Sequence, residues 1–108
     1  MTEAQAKEQN VDVRVGKFPF AALGKAMAIN ETDGFVKVVA DRDSKQVLGV
    51  HIVGPEASTM VSEAALSMEM AAFLEDVMLT VHPHPTLAEA YMEAAAAALG
   101  QAVHIPNR

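Results

Sequence analysis

Cysteine is missing from all 108 residues, so the chain by itself holds no disulfide framework, thiolate metal site or thiol nucleophile. Any redox chemistry must draw on groups supplied from elsewhere. Basic residues are few and stand apart, at Lys7, Arg14, Lys17, Lys25, Lys37, Arg42, Lys45 and Arg108. Against 14 acidic residues they leave a formal charge of −6. Without a basic stripe or patch, nucleic acid and anionic membrane are not expected partners. Long apolar runs are also absent, and the opening MTEAQAKEQN has no apolar signal core behind a basic head. A cytoplasmic segment is the expectation. What the chain does have is 51% hydrophobic residues in a length near that of one independently cored domain. Residues 1–108 are expected to form a single domain, with no internal repeat or linker.

Thr2 is placed to cap a short helix over Glu3 to Gln9, a stretch of good helix formers with Glu3 in its first turn. From Val11 the pattern alternates, Val11, Val13 and Val15 being separated by Asp12 and Arg14, and predicts a half-buried strand to about Phe18. Pro19 keeps that strand from pairing centrally. Ala21 to Ile29 is Ala-rich and suggests a helical turn or two before a turn at Asn30 to Gly34. Gly34 to Ala40 and Gln46 to Val53 are β-branched runs joined by the polar loop Asp41 to Lys45, the pattern of an antiparallel hairpin. Apolar groups on both faces of the second arm predict a sheet covered on both sides.

Gly54-Pro55 is expected to open a helix, with Pro55 at its first position and Glu56 complementing its positive end. Ala57, Met60, Val61, Ala64, Ala65, Met68 and Ala72 form one apolar stripe at helical spacing. Leu66, Met70 and Phe73 add a second stripe that needs a partner of its own. A short turn of helix follows at Leu74 to Leu79, and a last helix from Leu87 to Leu99, closed by Gly100. Strands first and helices later indicate an α+β sandwich. The run Ala94 to Ala98 reads as a smooth helix surface that lets another backbone come close, and the seven methionines as adaptable core and interface filler.

The segment Val81-His82-Pro83-His84-Pro85-Thr86-Leu87-Ala88-Glu89 gathers two of the four histidines and two of the five prolines at a helix start. Thr86 to Glu89 has the spacing of a capping box, in which hydroxyl and carboxylate satisfy each other's backbone donors. Side chains on a helix lean toward its N-terminus, so Glu89 also points back toward His84. With two oxygens it can hold the cap and still accept from the His84 ring, fixing the tautomer. Spacing alone leaves open whether the pair is structural or catalytic. His82-x-His84 has the look of a metal ligand pair, but no further ligand stands at clear spacing and no metal is expected. His51 and His104 read as ordinary packed or solvated residues.

HPHPTLAE resembles the H-x-H-P-T-L-S-E signature of dihydrolipoamide dehydrogenases, and KFPFAALGKA, ETDGFVKVVAD and VLGVHIVGPEAS resemble that family's interface domain in the same order. Glutathione reductases share His-Pro-Thr and a nearby Glu, but the earlier histidine and the following Leu favour the lipoamide branch. Ala88 replaces the usual Ser, and Pro83 a variable residue. The resemblance implies an antiparallel sheet flanked by helices, the pyridine nucleotide-disulfide oxidoreductase dimerisation domain, forming a two-fold homodimer. It implies that His84 is the catalytic base that takes a thiol proton from dihydrolipoamide, and that Glu89 orients it. It further implies FAD and NAD as cofactors of the full-length enzyme, with His84 and Pro85 meeting the FAD of the partner subunit and a cis His84-Pro85 bond. The partners it implies are lipoyl domains of 2-oxo acid dehydrogenase or glycine cleavage complexes. The family's cysteine pair, its glycine-rich dinucleotide motifs and the strand before the Thr2 helix have no counterpart here. The expectation is therefore a fragment that binds neither cofactor and is inactive alone. The alternative is a stand-alone dimerisation module without catalytic activity.

Overall fold

The structure is a computed structural model and describes residues 1–22, 26, 29, 33–54 and 56–101. Helix α1 runs Glu3–Glu8, capped by Thr2, whose hydroxyl accepts from Gln5 N–H at 3.1 Å while the Gln5 side chain accepts from Thr2 N–H at 2.9 Å. Strand β1, Val13–Pro19, begins two residues later than the alternation suggested, because Ala6 O at the end of α1 takes the Val11 N–H. Phe20–Ala22 then make one 3₁₀ turn; most of the Ala21 to Gly34 stretch, including the expected turn, lies outside the described residues. Strands β2, Phe35–Asp41, and β3, Val47–Val53, form the hairpin that the sequence predicts. All pairing is antiparallel in the order β1-β2-β3, so Pro19 sits on an edge strand, where its missing N–H does no harm.

The sheet is covered on both faces. On one, Val36, Val38 and Ala40 of β2 join Phe18, Phe20 and Val47 in a core closed by the helices. On the other, Val39 is fully buried, Met1 lies over Gly49, and Lys37 forms an ion pair with Glu3 of α1. Helix α2, Ala57–Glu69, lies against β3; α3, Leu74–Leu79, packs on α4, Glu89–Ala98, which crosses β1 and β2. The alanine run of α4 does what its smoothness implied. A Cβ on Gly16 of β1 would stand 2.0 Å from Ala94 O and 2.4 Å from Ala98 N, so strand and helix backbones touch. Among the described residues no helix is long and apolar enough to cross a membrane.

Two expectations about α2 are corrected. The helix begins at Ala57 rather than at Pro55, which lies outside the described residues. Glu56 is its N-cap rather than a residue of its first turn, in a left-handed conformation (φ 54) and without a side-chain cap bond. The first apolar stripe is also narrower than its spacing implied: Met60 and Ala64 are buried, whereas Val61 and Met68 are 45% and 41% exposed. With Leu66 at 60% and Met70 at 73%, they leave an apolar outer face. Among the described residues, β3 and the His82 turn meet the other side of α2.

Candidate active site: the turn before the last helix

Residues 80–88 leave α3 and turn into α4 without regular pairing, held by side chains. The His84-Pro85 peptide bond is cis. Thr86 donates its hydroxyl to Pro83 O at 2.6 Å, and its backbone N–H to Glu89 Oε1 at 2.8 Å. Only the carboxylate half of the expected capping box is therefore made. The hydroxyl is drawn back to the Pro83 carbonyl, and the helix begins at Glu89, behind a turn at Leu87 and Ala88, rather than at Leu87. At the far end Leu99 is the C-cap and Gly100, at φ 75, takes the left-handed position that favours glycine.

Glu89 is buried, with its side chain 9% exposed, while the His84 ring beside it is 74% exposed. His84 Nδ1 lies 3.1 Å from both Glu89 oxygens. A carboxylate only accepts, so Nδ1 carries the proton and Nε2 is left as a lone pair on a ring open to solvent. Chemically, this is an accessible proton acceptor whose orientation and tautomer are held from behind by a fixed anion. Pro85 is exposed on the same turn.

His82 goes to a different carboxylate. Its side chain is 4% exposed, with Nδ1 2.8 Å from Thr80 O and Nε2 2.5 Å from Glu63 Oε2 on α2. The two histidines of the His82-x-His84 pattern are thus separated rather than converged. His51 Nε2 meets Met1 O at 3.0 Å, and His104 lies outside the described residues. Glu63 and Tyr91 are the residues that sequence reasoning missed. The Tyr91 phenol is fully enclosed, beside the Ser67 hydroxyl. Burial pushes its pKa up, the Ser67 hydroxyl pulls the other way, and the Glu63 carboxylate adds to the rise. A signal for Glu63 existed, since it follows Met60 by three positions on the inward side of α2, where a carboxylate needs a partner.

The three-stranded sheet flanked by helices, with this turn at its end, defines a module of the flavoprotein disulfide reductases. Residues 1–95 match the pyridine nucleotide-disulphide oxidoreductase dimerisation domain, and the chain belongs to that family. Within it, the chain is similar to dihydrolipoyl dehydrogenases: 58% identical over all 108 residues to that of Haloferax volcanii, and 53% over 104 residues to one of Bacillus subtilis. It covers 23% and 22% of those proteins, so it spans about a quarter of the length of its curated relatives. Among solved structures, the HOCl-induced flavoprotein disulfide reductase RclA from Escherichia coli superposes with a TM-score of 0.83 at 25% identity. That match takes in 89% of this chain and 22% of the other.

Proposed function

We propose that residues 1–108 serve as the interface domain of a cytoplasmic dihydrolipoyl dehydrogenase, a homodimer in which His84 acts at the partner subunit's active site. The observation that carries this reading is the pairing of an exposed imidazole with a buried carboxylate at 3.1 Å through Nδ1. Nε2 then accepts a thiol proton from dihydrolipoamide, and Glu89 stabilises the charge that this places on the ring. His84 and Pro85 are the residues of this chain that would meet the partner's flavin. When bound, FAD and NAD supply the redox chemistry, which removes two electrons and two protons from dihydrolipoamide and passes a hydride to NAD⁺. The substrate reaches the enzyme on lipoyl domains of 2-oxo acid dehydrogenase or glycine cleavage complexes. Alone, the 108-residue chain binds neither cofactor and does not turn over.

A stand-alone dimerisation module without activity is the competing reading, favoured by the apolar outer face of α2, which can associate without any cofactor. The test is made in the intact flavoenzyme that carries this domain. His84→Gln is expected to keep the flavin and lose about 10²- to 10⁴-fold in dihydrolipoamide oxidation. Glu89→Gln is expected to lose less, because the ring remains. Full activity in His84→Gln overturns the reading.

A further inference from the structure

The turn that carries His84 has two carboxylates fastened to it, and only Glu89 is accounted for by the proton transfer. The other, Glu63, reaches the turn from α2 and meets a ring that is almost wholly enclosed. The Thr80 carbonyl only accepts, so His82 Nδ1 carries a proton and donates it at 2.8 Å. Nε2 faces the Glu63 carboxylate oxygen at 2.5 Å, so both ring nitrogens are engaged. Tyr91 of α4 places an enclosed hydroxyl near Glu63 and Ser67, and the Ser67 hydroxyl donates to Glu63 O at 2.8 Å. No other acidic or basic side chain among the described residues is hydrogen-bonded to the His82 ring.

From these contacts we infer that His82 and Glu63 are positioning residues for His84, a strut joining the base-bearing turn to the helix with the apolar outer face. The inference rests on the reading of His84 as the proton acceptor. Glu89 orients the His84 ring, but Glu89 itself lies on the far side of the turn. Val81 is 90% exposed, and residues 81–85 form no helix or strand. Among the described residues, the side-chain bond that ties this stretch to α2 is that between His82 and Glu63. A single residue, Pro83, separates an enclosed imidazole from a solvent-open one, so the grip on the first sets where the second projects. A base displaced by about 1 Å can lose up to 10²-fold in rate, which is the scale on which the strut acts.

The experiment uses the intact flavoenzyme with two assays. One is dihydrolipoamide oxidation by NAD⁺; the other is electron transfer from NADH through the flavin to an artificial dye, which needs no thiol deprotonation. Glu63→Leu is expected to lower kcat for dihydrolipoamide about ten-fold, leaving KM and the dye reaction unchanged. Glu63→Gln is expected to restore most of that kcat, because its amide N–H can donate to the Nε2 lone pair of a neutral His82 ring. His82→Asn gives an independent reading: its amide still reaches toward Thr80 O but loses Glu63, and the same ten-fold fall is expected. Unchanged kcat in either Glu63→Leu or His82→Asn overturns the inference, as does an equal fall in the dye reaction, which would mark general structural damage. If His84→Gln retains full activity, the reading of the base fails, and this inference falls with it by a separate route.

Discussion

Alanine at position 16 adds one methyl group at the point where β1 and α4 touch. Its Cβ would stand 2.0 Å from Ala94 O, 2.4 Å from Ala98 N and 2.9 Å from Ala98 Cβ. Two of those three atoms are helix backbone, so no rotamer relieves the contact and α4 must lift from the sheet. Gly→Ala at an ordinary strand conformation would otherwise gain about 0.4–1 kcal/mol by narrowing the unfolded ensemble. Overpacking a well-filled core costs about 1–3 kcal/mol, and more when backbone has to move. The steric loss wins, and a net loss of about 2 kcal/mol lowers Tm by roughly 8–16 °C in a chain of this size. Because α4 starts at Glu89, the same displacement draws the carboxylate away from His84. Thermal unfolding followed by circular dichroism measures the first effect. Melting within about 2 °C of the parent would refute the backbone contact and, with it, the account of why the alanine run is there.

Leu66→Glu or Met70→Glu on the outer face of α2 is expected to abolish dimerisation in sedimentation while changing the stability of the monomer by no more than about 0.5 kcal/mol; a persistent dimer would exclude this face. Tyr91 is the sole tyrosine, and its pKa is raised by burial. It therefore contributes stability that is complete below the ordinary phenol value of 10.0 and is lost as pH rises through the higher folded value. Tyr91→Phe is expected to remove that alkaline loss of Tm, and identical slopes just above pH 10.0 in both proteins would refute the assignment. The Asp41 carboxylate accepts from Ser44 N–H at 2.8 Å and Asp43 N–H at 2.9 Å, and the Ser44 bond is the main cause of its lowered pKa. Its contribution is present above the ordinary value of 3.8 and is lost as pH falls through the lower folded one, so Asp41→Asn is expected to flatten the acid limb of the stability curve. An acid limb unchanged by the substitution would count against the hairpin-loop bonds.

How much the amino-acid sequence determined by itself follows from the range of the forces involved. The hairpin, the Thr2 cap, the short helix Leu74–Leu79 and the close at Gly100 depend on alternation, caps and turn residues within a few positions of one another, and all were legible. So was the approach of Glu89 to His84, because five residues and the backward lean of helical side chains are enough to bring them together. Competition for a donor was not legible: the Thr86 hydroxyl chose the Pro83 carbonyl once the turn had brought it near. Contacts between distant positions were decided only by the tertiary structure. Glu63 and His82 are 19 residues apart, and their meeting depends on how α2 lies against β3. Gly16 meets Ala94 and Ala98 only when α4 crosses the sheet. Which apolar residues of α2 remain exposed was also left to packing, because helical spacing defines a stripe but the neighbouring strand decides how wide a band it covers.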